Sequence, residues 1–319
     1  MSDQPLITHL YTADPSAHVF HGRIYLYPSH DRETTITAND NGDQYDMADY
    51  HVFSLPSPGG TVTDHGVALA LEDIPWAARQ LWAPDAAVRN DTYYLYFPAR
   101  DRQGIFRIGV AVSLVPEGPF TADPEPIAGS YSIDPCCFID DDGQAYLYFG
   151  GLWGGQLQCW ETGSFDPGGT EPTGATSALR PRVARLAGDM RSFEGEILPI
   201  SILDSEGQML RADDHERRFF EAAWVHKRNG LYYFSYSTGD THFLVYATSD
   251  SPLGPFTYRG RILEPVIGWT THHSIVEFRG KWYLFYHDAS LSGGLSHLRC
   301  VKVMEITYSA DGAIWPAGP

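Results

Sequence analysis

Five stretches of this 319-residue chain set one ionisable residue three to five positions ahead of an aromatic run. They are Asp14 in "TADPS", Asp85 in "LWAPD", Asp134 in "SIDPCCF", Glu221 in "FFEAAWV" and His272 in "THHSIV". Any one of them has a plain structural reading, as a paired carboxylate, a strand-end residue facing water or a hydrogen-bonded histidine. Converging as a set, four carboxylates and an imidazole would incur repulsion and desolvation that folding alone does not reward. Chemistry that needs carboxyl groups of opposite protonation is glycosidic bond hydrolysis, with one acid of raised pKa and a second carboxylate held ionised. Glu221 has the acid's surroundings, because Phe219, Phe220 and Trp224 beside it would raise its pKa by desolvation. Asp14 and Asp134 are each followed by proline, which would pin their direction. Trp82, three residues before Asp85, could stack on a sugar face or belong to the core.

These residues lie up to 258 positions apart, so the elements between them must bring them together. One unit recurs: an apolar residue, a polar turn with Gly, Asn or Asp, then an aromatic strand. The copies are "VFHGRIYLYP" (19–28), "VRNDTYYLYF" (88–97), "FIDDDGQAYLYF" (138–149), "VHKRNGLYYFSY" (225–236) and "VEFRGKWYLFY" (276–286). Each reads as a β-hairpin, and aligning them puts Tyr25, Tyr94, Tyr146, Tyr233 and Tyr283 in register. Two copies are followed by an S-x-x-P-x-G-P-F ending, at 113–120 and 249–256, and "YHVFSLPSP" (50–58) is the matching stretch after the first copy. A hairpin plus one or two further strands, repeated radially, is a propeller blade. The fold class expected is all-β, a five-bladed β-propeller filling 1–319 as a single catalytic domain; an irregular β-sandwich is the alternative. With the first strand of each hairpin innermost, the five ionisable residues ring the axis at one end and form a pocket.

Composition sets bounds. A formal net charge of −18 disfavours nucleic acid and anionic membranes, which both need a basic footprint, and is compatible with a neutral sugar. No segment approaches a membrane span. The N-terminus lacks a basic start and an apolar run, which leads to the expectation of a cytoplasmic protein. Cys136, Cys137, Cys159 and Cys300 have neither zinc-site nor disulfide-framework spacing and read as buried thiols in a reducing compartment.

The "ADP", "WAPD", "IDP" and "FFEAAW" stretches, taken together, resemble family-43 glycoside hydrolases, five-bladed propellers that include β-xylosidases and α-L-arabinofuranosidases. The resemblance runs from Asp14 to the "HLRCVKV" stretch at 297–303. It implies an inverting mechanism with Asp14 as general base, Glu221 as general acid and Asp134 as the carboxylate that orients the acid and keeps its pKa high. It also implies a divalent cation, calcium above all, held on the axis by His272 and waters, with His273 pointing the other way, and Arg299 bonding sugar hydroxyls. The expected substrates are short xylo-oligosaccharides, with arabinose-substituted ones as the alternative. Many β-xylosidases of the family carry a β-sandwich of roughly two hundred residues after the propeller, as the family resemblance has it, and the expectation here is that none follows. The missing pocket wall is then expected from the stretch around 160–218 or from a neighbouring subunit of a homo-oligomer. Two other readings compete. Retaining β-fructosidases place an arginine before the second Asp, where this chain has Ile133, and a "DPN" motif where it has "DPS". A non-catalytic sugar-binding propeller would have no need of three carboxylates together.

Overall fold

The computed structural model describes residues 4–316; the outermost residues of the expected 1–319 domain lie outside them. Blade one is β1 (Tyr11–Phe20), β2 (Arg23–Asp31), β3 (Asp49–Leu55) and β4 (Thr63–Ala70). Blade two is β5 (Ala77–Arg79), β6 (Asp85–Arg89), β7 (Thr92–Asp101), β8 (Phe106–Ser113) and β9 (Thr121–Ala122), with β5 and β6 both pairing with β7. Blade three is β10 (Cys136–Ile139), β11 (Ala145–Phe149), β12 (Arg182–Leu186) and β13 (Phe193–Pro199). Blade four begins in sequence with β14 (Ile202–Leu203), which runs parallel to its outer strand, and continues with β15 (Glu221–Arg228), β16 (Leu231–Ser237), β17 (Leu244–Ser249) and β18 (Phe256–Leu263). Blade five is β19 (His273–Phe278), β20 (Lys281–Asp288), β21 (Cys300–Tyr308) and β22 (Ile314–Pro316).

The five repeated segments form the first hairpins of the five blades, and the five aligned tyrosines all lie buried on the second strands. The turn chemistry explains why. In four hairpins both turn residues take positive φ: His21 and Gly22, Asn90 and Asp91, Asn229 and Gly230, Arg279 and Gly280. That backbone matches the twist of two-residue hairpins, and Gly, Asn and Asp tolerate it best. The third hairpin has a longer loop, closed by Gly143 N–H donating to Asp140 C=O at 2.9 Å.

Strands β1, β6, β10, β15 and β19 adjoin one another in that order, and β19 returns to β1, which closes the ring. The seam is tied by Leu6 N–H donating to Val301 C=O (2.8 Å) and Thr12 N–H to Arg299 C=O (2.9 Å). The strands are apolar on both faces because each blade packs against two neighbours. Tyr27, Tyr50, Leu95 and Phe97 share the core of blades one and two. Ile24, Phe53, Phe285 and Val301 share that of blades one and five. The four cysteines are buried free thiols. Among the described residues no helix is long and apolar enough to cross a membrane.

The expectation that 160–218 walls the pocket is corrected. That stretch holds β12, β13 and β14 and contributes no pocket-lining residue. Its strands were overlooked because "RVARL" and "FEGEILP" lack the aromatic run of the inner hairpins. It supports the wall from behind: Glu171 accepts from Trp153 Nε1 (3.0 Å), and the buried Arg218 pairs with Glu171 (2.9 Å) and stacks over Phe220. The wall itself comes from the β2–β3 loop (Asn39 to Met47), the β11–β12 loop (Leu152 to Gly155) and the lead-in to β19 (Trp269, Thr270).

Candidate active site

The N-terminal ends of the inner strands open into a cavity of about 300 Å³. Asp14, Asp134, Glu221 and His272 line it, with Trp82 and Arg299. The fifth residue of the expected ring, Asp85, does not. It turns into the axis beneath, where it accepts from Ser16 Oγ (2.5 Å) and Cys137 N–H (2.6 Å) and pairs with His18 Nε2 (2.8 Å). Asp85 is itself a residue of a regular strand pair, Asp85 opposite Tyr96, so nothing in the backbone redirects it upward.

The three carboxylates that do reach the pocket all sit at backbone irregularities. Asp14 has φ +49° inside a break of register between Ala13 and Ser16, and Asp134 has φ +56° just before β10. Glu221 precedes Ala222, φ +64°, at a register break that ends at Trp224. Left-handed backbone at a non-glycine residue costs of the order of 1–3 kcal/mol and persists where the surroundings over-determine it. Here it re-aims a side chain out of the sheet's alternation.

Asp14 is fully furnished with donors. Arg299 Nη1 donates to its Oδ1 at 2.9 Å and Ser29 Oγ to its Oδ2 at 2.7 Å, while its own N–H donates to His287 Nδ1 at 3.0 Å. Burial pushes the Asp14 carboxyl up, but Arg299, His287, His272 and Ser29 outweigh it and bring the pKa down to about 2. Arg299 is in turn fixed by Asp31, which takes Nε (2.8 Å) and Nη2 (2.7 Å), and its Nη1 also reaches Thr270 Oγ1 (3.1 Å). The guanidinium is buried and mostly spent on protein partners, so it is no surface ion pair, and it lines the pocket.

Glu221 and Asp134 have the opposite setting. Burial, then the charge of Asp14, push Glu221 up to about 8, with Arg299 pulling the other way. Asp134 is raised well above the ordinary carboxylate range by burial and by the charges of Glu221 and Asp14, and the Ala222 N–H that donates to its Oδ2 at 2.7 Å opposes this only in part. Two buried carboxyls this placed hold a proton between them near neutral pH. The expected source of desolvation needs correction. Phe220 lines the pocket, but Phe219 belongs to the core against Phe234 and Tyr236. Trp224 plugs the axis, packed on His18 and donating Nε1 to Ile275 C=O at 3.2 Å. Trp224 lies three residues further along β15, below the pocket floor. Ile133, Leu152 and Trp153 supply the apolar lining instead, and Gly151 lies close enough that a Cβ there would meet Ile133 at 2.5 Å and the Glu221 Cβ at 3.4 Å.

Trp82 lines the pocket but is 9% exposed. Its Nε1 donates to Tyr45 C=O (2.9 Å), its ring packs on Phe106, and Gly42 lies so near that a Cβ there would meet it at 2.6 Å. It holds the β2–β3 loop in place. His272 Nδ1 accepts from His273 N–H (2.8 Å), whereas Nε2 is buried with no hydrogen-bond partner, 3.8 Å from Asp134 Oδ2. Burial lowers the His272 pKa, so the ring is neutral, and with Nδ1 accepting, its one proton sits on Nε2 and points toward the pocket. His273 points away and pairs with Ser235 Oγ (2.6 Å). Asp31, His287 and Ser29 were not anticipated. Asp31 and His287 end adjacent hairpin strands that begin as aromatic runs, and their only signal was a polar residue closing such a run.

Comparison with known proteins agrees with this geometry. The model of "Glycosyl hydrolases family 43" matches residues 4–314. "Xylosidase/arabinosidase 43A" of Humicola insolens is 70% identical over 97% of this chain and 98% of its own. "Beta-xylosidase" of Xylanibacter ruminicola is 51% identical over 95% and 96%. Among solved structures, a GH43 β-xylosidase/α-arabinofuranosidase from a compost microbial metagenome, in complex with xylotriose and in a calcium-free form, superposes with TM-score 0.96 at 63% identity, covering 98% of this chain and 96% of that one. A ring of five blades, a pocket that brings Asp14, Asp134 and Glu221 together and these likenesses give one conclusion: the chain is a glycoside hydrolase and belongs to glycosyl hydrolase family 43.

Proposed function

We propose that the chain is an inverting, exo-acting β-xylosidase that releases xylose from the non-reducing end of short xylo-oligosaccharides and also hydrolyses α-L-arabinofuranosides. One observation carries the reading: a single pocket holds a carboxylate kept ionised by Arg299 and, facing it, a carboxyl pair that retains a proton. Asp14 is the general base that takes a proton from the attacking water. Glu221 is the general acid that protonates the departing oxygen. Asp134 anchors the strained Ala222 N–H, which sets the direction of Glu221, while burial and the charge of Asp14 keep the Glu221 pKa high. Close relatives named xylosidase/arabinosidase or beta-xylosidase support the substrate class, as do neighbours of this fold solved with xylotriose and xylose.

The orphan Nε2 of His272 would hold a divalent cation, calcium among them, once the ring proton moves to Nδ1 and the His273 N–H bond is given up, with waters supplying the oxygen ligands such ions prefer. When bound, the ion supplies positive charge among the three carboxylates. Chelation should then lower activity, with His272→Ala abolishing that response.

The decisive experiment follows the anomer first released from an aryl β-xyloside by NMR. Inversion is expected; retention overturns the role of Asp14, since it would require a covalent intermediate. Rates on aryl β-xyloside and aryl α-L-arabinofuranoside at equal enzyme give the order of the two activities.

A further inference from the structure

Outside the pocket, blade one carries a second cluster of ligating groups. His30 near the end of β2 and Asp49 and His51 at the start of β3 each offer one donor atom, and the three atoms lie within 4.8 Å of one another. None of the three lines the pocket. His30 Nδ1 and His51 Nε2 converge on one oxygen, Asp49 Oδ1, at 2.6 and 3.8 Å. The outer nitrogen of His51 is committed elsewhere: Nδ1 pairs with Asp64 Oδ1 at 3.1 Å. Asp64 also pairs through Oδ2 with His9 Nε2 at 2.8 Å.

We propose that His30, Asp49 and His51 form a binding site for a transition-metal cation of the zinc type, separate from the pocket and placed at the seam where the N-terminal segment meets blade one. The donor set is two imidazoles and one carboxylate, which suits zinc, cobalt or nickel over the hard, oxygen-seeking calcium and magnesium. Asp64 plays the part that outer carboxylates play in such sites. By accepting from His51 Nδ1–H it fixes the tautomer that leaves Nε2 free to ligate. Ligand bonds of about 2.0–2.2 Å imply donor atoms roughly 3.3 Å apart in a tetrahedral shell, so the His30–Asp49 pair must open slightly and the His51 ring move slightly inward. The proton of the His30 Nδ1–H···Asp49 bond shifts to Nε2 as Nδ1 takes the metal, with no net change in charge on the ring. The side chains of His30, Asp49 and His51 are 18, 24 and 14% exposed, so a cation can enter from solvent and waters can fill the remaining positions.

The site bears on stability through its position. Asp64 and His9 continue the cluster to the N-terminal segment, and Leu6 of that segment bonds Val301 of blade five. An occupied site would brace the closure of the ring.

The test uses the full chain, stripped by chelator and then saturated with calcium so that the pocket is out of play. Cobalt(II) titration should give one equivalent with visible ligand-field absorption, and zinc should displace it and raise the melting temperature. His51→Gln should abolish the absorption and the thermal shift. Asp64→Asn, which leaves all three ligands in place, should weaken cobalt binding about 10–100-fold. His272→Ala should leave both signals unchanged. Absence of a cobalt equivalent in the wild type overturns the proposal and leaves the cluster a hydrogen-bonded ladder. So does a signal that survives both His51→Gln and Asp64→Asn, or one that disappears with His272→Ala.

Discussion

The two sides of the pocket use the same functional group to opposite ends. On the side built by blades one and five, Asp14 meets Arg299, Ser29 and His287 and stays ionised down to a pKa of about 2. On the side built by blades three and four, no cation among the described residues lies within hydrogen-bonding distance of Asp134 or Glu221, and burial with the charge of Asp14 makes them keep a proton. Both sides are buried, so burial does not distinguish them. What distinguishes them is the strand that follows: β21 is preceded by Arg299, whereas Ile133, Leu152 and Phe220 stand around the carboxyl pair. An ionised carboxylate and a protonated one are thus set apart by a single well-placed guanidinium.

Removing either side should break the comparison in a different way. Asp14→Ala should lose essentially all turnover on both xylobiose and an aryl xyloside, because the attacking water needs its base whatever departs. Glu221→Ala should lose about 10²–10⁴-fold on xylobiose, the usual worth of general acid help, and far less on an aryl xyloside whose phenol leaves unaided. Equal impairment of Glu221→Ala on the two substrates would remove Glu221 as proton donor. The wild-type pH profile should fall on the alkaline side as Glu221 ionises near pH 8, and that limb should flatten in Glu221→Ala on the aryl substrate.

A subtler variant should make the two sides alike. Arg299→Met takes away the strongest influence holding Asp14 ionised while its burial remains. The folded pKa of Asp14 then rises from its lowered value of about 2. A base must be ionised to act, so the acid limb of kcat/KM, hidden near pH 2 in the wild type, should move up into the measurable range. An unmoved limb would mean that Arg299 serves the substrate and not the base.

The smallest effect concerns stability. Glu221 has a folded pKa raised above its unfolded value of 4.5, so it penalises the fold progressively as pH rises from about 4.5 to about 8, and not below. Glu221→Gln should therefore raise the melting temperature at pH 8, with the gain shrinking to nothing by pH 4. A gain independent of pH would show that packing and not ionisation is responsible.

Much of this was legible in the chain. The five aromatic hairpins, with Gly22, Asn90, Asn229 and Gly280 at their turns, specify local pairing that needs no distant partner, and five such units impose five blades. The position of Asp14, Asp134 and Glu221 at the entry of inner strands follows from that repeat, and so does their meeting around the axis. The tertiary structure alone decided the rest. Whether a carboxylate at that entry looks into the pocket or into the axis depends on a break in strand register, present at Asp14 and Glu221 and absent at Asp85, and register is settled between strands. Trp224 was close to Glu221 in sequence yet below it in space, because β15 starts at the pocket with Glu221 and Trp224 lies three residues further along it. Ionisation was beyond the sequence for the same reason. Asp31 and Arg299 are 268 residues apart, and only closure of the ring, first blade against last, brings that pair to Asp14 and keeps it ionised.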